Sequence, residues 1–212
     1  MRYNKVNNAE NILKHSKYLI NNPEKYRNNW HSIFNNSNKI SIELGMGRGL
    51  FIMKMAEKYP NINFIGIEND INQCAFALKR IESKNINNLK IICMDASKID
   101  EIFAKEIDTI YLTFSEPWPK KGDEKRRFTS NNYLRIYDKI FKKDKHIILK
   151  TDNKILFQSA LESLSDYWYT FEKVSLDLHN DERNIDNILT DFEEEYKKEG
   201  RSIYYLDAYY KN

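Results

Sequence analysis

Lys39 to Tyr59 reads KISIELGMGRGLFIMKMAEKY, and three unlike pieces follow one another in it. KISIEL (39–44) is short, rich in Ile and closed by glycine, which is the composition of a buried strand. Gly45, Gly47 and Gly49 come next, half of the six glycines in the chain. Ile52, Met55, Ala56 and Tyr59 then recur at i, i+3, i+4 and i+7, the apolar stripe of an amphipathic helix. A strand that runs through a glycine turn into a helix is the opening unit of an open α/β sheet. That turn is where such a sheet lets its backbone approach a ligand.

The alternation continues downstream. NFIGIE (63–68), LKIIC (89–93), TIYLTF (109–114) and HIILKT (146–151) have the same strand composition. Ile71, Cys74, Ala75 and Leu78 form the helical stripe of the second gap. After the fourth strand, Ser130 is placed to cap a helix carrying Tyr133, Tyr137, Ile140 and Phe141; after the fifth, Phe157, Ala160, Leu161 and Leu164 repeat the pattern. Two further strands, YTFEKVSLDL (169–178) and SIYYLDAYY (202–210), flank an acidic insert, DFEEEYKKEG. The expectation is an α/β fold: a sheet of about seven mostly parallel strands, helices on both faces, closed by a hairpin-like return. Upstream of Lys39 the pattern suggests two polar helices, over Asn7 to Ile20 and Pro23 to Trp30. No linker-like stretch divides the chain, so residues 1–212 are expected to form one domain, with 1–38 as a helical extension of a core at 39–212.

Composition excludes more than it identifies. With 41% hydrophobic and 31% charged residues the chain has the make-up of a soluble globular protein, and a net charge of +3 does not by itself indicate a nucleic-acid partner. No apolar stretch reaches the eighteen residues of a membrane span, and the first twenty residues lack a signal-peptide core, so a cytoplasmic protein is expected. Cys74 and Cys93 fall on a helix face and in a strand without C-x-x-C spacing and are expected to be reduced core residues. The four histidines lack metal-ligand spacing, so no metal is expected.

Acids at the strand ends sharpen the reading of the glycine turn. Glu43 precedes the glycines, where a pyrophosphate would be repelled and a cation attracted. The third glycine of the dinucleotide fingerprint is displaced, its place falling on Leu50. Glu68 ends the second strand, where an acid accepts from ribose hydroxyls, and Asp95 follows the third, placed to receive an adenine amino group. Acids at three successive strand ends describe an adenosine bearing a cation, S-adenosylmethionine rather than NAD.

The fourth strand runs into FSEPWPKKGDEKRRF (114–128). Pro117 and Pro119 restrict the backbone around Trp118, holding an acid, Glu116, and an aromatic ready to grip a flat base. Lys120, Lys121, Lys125, Arg126 and Arg127 follow against only Asp123 and Glu124, a basic excess suited to phosphates.

This stretch resembles the hallmark of the bacterial tRNA (guanine-N7)-methyltransferase family, F-S-D-P-W-P-K-K followed by E-K-R-R. The likeness extends to E-L-G-x-G-x-G-x-F at Glu43 to Phe51, G-I-E at Gly66 to Glu68, LKTDN at Leu149 to Asn153, D-L-H at Asp177 to His179 and T-D-F-E at Thr190 to Glu193. The resemblance implies a Rossmann-like S-adenosylmethionine-dependent methyltransferase fold acting on tRNA at the variable-loop guanine, position 46 in tRNA numbering. It implies cofactor contacts at Glu43, Gly45, Gly47, Glu68, Asp95 and Glu116. Substrate contacts are implied at Lys120, Asp152, Thr190, Asp191, Phe192 and Glu193, with an RNA-facing segment that includes Lys121, Lys125, Arg126 and Arg127. Glu116 and Asp152 are the catalytic candidates; Glu116 stands where the family usually has Asp. Taken as bare sequence, Asp152 also reads as a helix N-cap, and Thr190 with Glu193 as a capping box. The chain is expected to act as a monomer or homodimer. A methyltransferase of another base, a nicotinamide-dependent oxidoreductase and a non-catalytic RNA-binding protein are the alternatives, the second disfavoured by Glu43 and Leu50.

Overall fold

A computed structural model describes residues 5–184 and 187–210; residues 1–4, 185–186 and 211–212 of the expected single domain lie outside the described part. In chain order the elements are helices α1 (Ala9–His15) and α2 (His31–Phe34), strand β1 (Lys39–Leu44), α3 (Leu50–Lys58), β2 (Ile62–Glu68) and α4 (Ile71–Glu82). There follow β3 (Leu89–Cys93), α5 (Ile99–Ile102), β4 (Ile107–Thr113), α6 (Asn131–Ile140), β5 (Phe141–Thr151), α7 (Lys154–Asp166), β6 (Thr170–Ser175), α8 (Asp191–Lys198) and β7 (Tyr204–Tyr210).

The seven strands make one sheet in the order β3-β2-β1-β4-β5-β7-β6. The first five pair parallel with one another, and β7 enters antiparallel between β5 and β6. Alternate residues of a strand feed opposite faces: Phe64 and Ile91 pack with α1, α3 and α4, while Ile65 and Ile92 pack with α5, α6 and α7. Both faces are therefore covered, which explains why the central strands read as continuous apolar runs.

The N-terminal segment departs from two helices. Of the stretch expected to be helical from Asn7 to Ile20, only Ala9–His15 is; Tyr18 to Ile20 then run extended beside β3, with the Ile91 N–H donating to Tyr18 O and the Ile20 N–H to Ile91 O, both at 2.9 Å. This segment covers what would be a bare sheet edge. After Ile20 and before β1, Pro23–Tyr26 forms a 3-10 turn and His31–Phe34 a single helical turn. Trp30 is fully buried and its indole N–H donates to Ile102 O at 2.7 Å. The Glu106 carboxylate accepts the backbone N–H groups of Asn28, Trp30 and Ala104 at 2.9, 3.0 and 3.1 Å. An apolar anchor and one carboxylate dock this stretch, and no helical period is needed for that.

Strand boundaries also move, most of all at two places. Phe141, expected on a helix face, begins β5: its ring meets Tyr137 edge-on at 6.3 Å, so its burial follows the stripe although its backbone is extended. The strand expected over 169–178 ends at Ser175, and Leu178–Asn180 is a 3-10 turn.

Candidate active site

Strand order reverses between β1 and β4, the point where an open α/β sheet leaves a crevice beyond its carboxyl ends. A cavity of about 930 Å³ opens there, of the size that takes a small molecule. Glu43, Gly45, Gly47, Glu68, Asp95 and Glu116, the whole set expected to meet a cofactor, line it.

Glu43 is 1% exposed. The Thr113 hydroxyl donates to its Oε1 at 2.5 Å, and Oε2 is buried without a hydrogen-bond partner among the described residues. Burial pushes this carboxyl up to about 8, against the opposing pull of the Thr113 hydroxyl and the Lys150 charge. An unpartnered buried acceptor in a cavity wall is costly to keep unless a ligand completes it.

Gly47 has φ +54, and a Cβ there would meet nothing within 4 Å, so the turn presents open backbone to the cavity. Its N–H donates to Glu68 Oε2 at 3.0 Å, while Glu68 Oε1 accepts from the Asn69 and Asp70 amides at 2.8 and 3.0 Å. These three amides fix the Glu68 carboxylate at the end of β2. Asp95 caps the turn after β3 by accepting from Ser97 N at 2.8 Å through Oδ1. Its Oδ2 has no hydrogen-bond partner among the described residues.

The loop after β4 is bent by two residues in the left-handed region, Phe114 at φ +51 and Trp118 at φ +43. Glu116 is exposed, lines the cavity and has no hydrogen-bond partner among the described residues. Of the basic run, Lys120, Lys121, Lys125 and Arg126 are exposed, and the Arg126 guanidinium lies 4.7 Å from the centre of the Trp118 ring. Arg127 differs from its expected phosphate-facing role. It is 6% exposed and its side chain is turned inward onto the loop.

The late motifs separate in the same way. Asp191 and Phe192 line the cavity. Asp191 forms a two-pronged pair with Arg80 at 2.8 and 2.9 Å, and Arg80 also donates to Arg48 O, tying α8 to the glycine turn. Phe192 belongs to an aromatic group with Phe114 and Tyr196. Thr190 and Glu193 form the capping box of α8. Glu193, however, is wholly buried and accepts from Lys150 Nζ at 3.1 Å, Asn187 Nδ2 at 2.5 Å and His179 Nε2 at 3.1 Å. It is the hub of a buried network and not a free grip on a base. Asp152 is not the cap of α7: Asn153 accepts from Leu156 N at 2.9 Å, while Asp152 pairs with Arg201 at 3.3 Å. Neither Asp152 nor Lys120 lines the cavity itself.

Residues 37–206 match a family model described as a putative methyltransferase. A tRNA (guanine-N(7)-)-methyltransferase of Bacillus cytotoxicus is 43% identical over 203 residues, 95% of this chain and 93% of the relative. The chain belongs to the tRNA (guanine-N(7)-)-methyltransferase family. A second relative of that name, from Enterococcus faecalis, is 41% identical over 97% of this chain and 96% of its own. A solved structure described as an antibiotic-related methyltransferase superposes with a TM-score of 0.62 over 86% of this chain and 94% of that one. At 18% identity that likeness speaks for the Rossmann-like methyltransferase fold alone.

The cavity suits the cofactor such a family implies. Glu43 offers a buried carboxylate oxygen without a partner among the described residues, Gly47 an open stretch of backbone, and Glu68 and Asp95 carboxylates on the cavity wall, which is the donor and acceptor set a nucleoside bearing a cation calls for. Sequence reasoning missed two residues that set this site. Thr113 orients Glu43, and Lys150, 4% exposed, holds Asn187, Ile188 and Glu193 through its ammonium. A signal for Lys150 existed, since a lysine inside the apolar run HIILKT is out of place unless it has buried partners. Nothing marked Thr113. Among the described residues no cluster of His, Cys, Asp or Glu could hold a metal ion, and no helix is long and apolar enough to cross a membrane.

Proposed function

We propose that this protein transfers the methyl group of S-adenosylmethionine to N7 of a guanine in tRNA, the variable-loop guanine 46, and does so in the cytoplasm as a single methyltransferase domain. The observation that carries the reading is one cavity lined by acids from three strand ends and by the Ser115, Glu116 and Trp118 loop, in a chain of this family.

When bound, the cofactor supplies an electrophilic methyl on a sulfonium. Guanine N7 carries an in-plane lone pair and no proton, so no general base is required and orientation dominates the catalysis. Glu43 holds the cationic portion of the cofactor, while Glu68 and Asp95 fix its nucleoside. Trp118 and Phe192 offer aromatic faces for the extruded base. Glu116, exposed and unpartnered among the described residues, accepts from the N1–H and N2 amino edge and stabilises the positive charge that develops on the purine. Asp152 is the second candidate carboxylate: it lies outside the cavity wall, paired with the half-exposed Arg201, and would reach the base only once that pair opens.

Incubation with methyl-labelled cofactor and unmodified tRNA, followed by chemical cleavage at 7-methylguanosine, tests this. Label released at a single variable-loop guanine is the expected result. Label at an adenine or at an exocyclic amine would replace the target while keeping the fold.

A further inference from the structure

Arg126 and Arg127 are adjacent, of one type, and do different things. Arg126 is exposed, and its guanidinium lies over the Trp118 ring, 4.7 Å from its centre. Arg127 reaches the backbone of the same loop from within. Its Nε donates to Pro117 O at 2.9 Å, Nη2 to Trp118 O at 3.0 Å and Nη1 to Ser159 Oγ, on α7, at 2.9 Å.

The held segment is one that does not stay in place unaided. Trp118 at φ +43 and Phe114 at φ +51 are bulky residues in a left-handed conformation, and such strain persists only where the surroundings over-determine it. Prolines at 117 and 119 limit how the loop flexes but do not set its position relative to the sheet. A planar fork with three bonds, two to consecutive carbonyls and one to a fixed helix, does set it. The carbonyls it takes immediately follow Glu116.

We infer that Arg127 is a positioning residue, a buried clamp that ties the Glu116-to-Trp118 loop to α7 so that Glu116 faces the cavity, and that it makes no contact with RNA phosphate. The inference rests on the reading of the cavity as the methyl-transfer site. Lysine cannot substitute for the clamp: one ammonium keeps the charge but cannot span three acceptors in a plane.

The test compares Arg127→Lys, Arg127→Ala and Ser159→Ala with Lys125→Ala/Arg126→Ala in the full chain. In the three clamp variants trypsin is expected to cut after Lys120 and Lys121 faster than in the wild type, with no substrate present. That arm holds even if the methylation target is another base. In methylation assays Arg127→Lys is expected to lose at least ~10-fold in kcat, with KM for tRNA and the salt dependence of binding unchanged, and Ser159→Ala to lose less. The double variant is expected to make the plot of log affinity against log salt shallower by about one per lost phosphate contact. If Arg127→Lys leaves kcat and the trypsin pattern as in the wild type, the clamp is overturned. A shallower salt slope in Arg127→Ala, with kcat retained, also overturns it. Should Arg127→Ala fail to fold, Arg127→Lys and Ser159→Ala still decide the matter.

Discussion

Glu43→Gln is expected to weaken binding of S-adenosylmethionine by about 100-fold while leaving the unliganded protein at least as stable as the wild type at pH 8. Glu43 is buried, one oxygen is satisfied by Thr113 and the other is not, and burial raises its pKa from 4.5 to about 8. Between those two values the folded protein keeps a proton that the unfolded chain has released. Stability from this group therefore falls as pH rises from about 4.5 to about 8 and is level above that. Glutamine keeps the Thr113 bond and removes the charge, so it escapes the penalty and loses the attraction for a cation.

A second consequence concerns protons. A cation bound beside Glu43 lowers its pKa again, so binding at pH 7 expels up to one proton and affinity rises with pH toward 8. Calorimetry in two buffers of different ionisation enthalpy reads this directly. Proton release in the wild type and none in Glu43→Gln is expected. Equal cofactor affinity in both proteins would make Glu43 a purely structural acid.

Glu193→Ala is expected to cost roughly 3–5 kcal/mol of stability, read as a lower denaturant midpoint. Removing this carboxylate leaves the Lys150 ammonium buried without its counter-charge and takes an acceptor from Asn187 and His179. Burial already pulls the Lys150 pKa down and Glu193 opposes it, so losing Glu193 removes the group that most counters the cost of burying this charge. Replacing both partners together, Lys150→Met with Glu193→Leu, is expected to restore much of the midpoint, because neither then leaves a buried charge behind. Activity lost in Glu193→Ala at an unchanged midpoint would instead make Glu193 a direct substrate ligand, as the family motif implies.

Much of this site was legible in the residues. The glycine turn, the acids at three strand ends and the Glu116 loop all converge on one cavity, because strand ends in an α/β sheet share one rim and sequence order predicts which ends those are. What stayed hidden depends on which way a side chain points. Arg126 and Arg127 are equivalent in a one-dimensional reading of charge, yet one is exposed and one buried. Glu193 looks like an available carboxylate until Lys150, 43 positions upstream, is folded against it. The N-terminal segment hid for another reason. Its docking relies on Trp30 and on the distant Glu106, and neither leaves a periodic trace.

If N7 of guanine is the atom methylated, a tRNA transcript carrying 7-deazaguanosine at the proposed variable-loop position will not be a substrate. That change removes the N7 lone pair and leaves the N1 and N2 edge for Glu116 to grip. Binding within a few-fold of the normal transcript, with methyl transfer abolished, is the expected outcome. Continued transfer to the deaza transcript would contradict it.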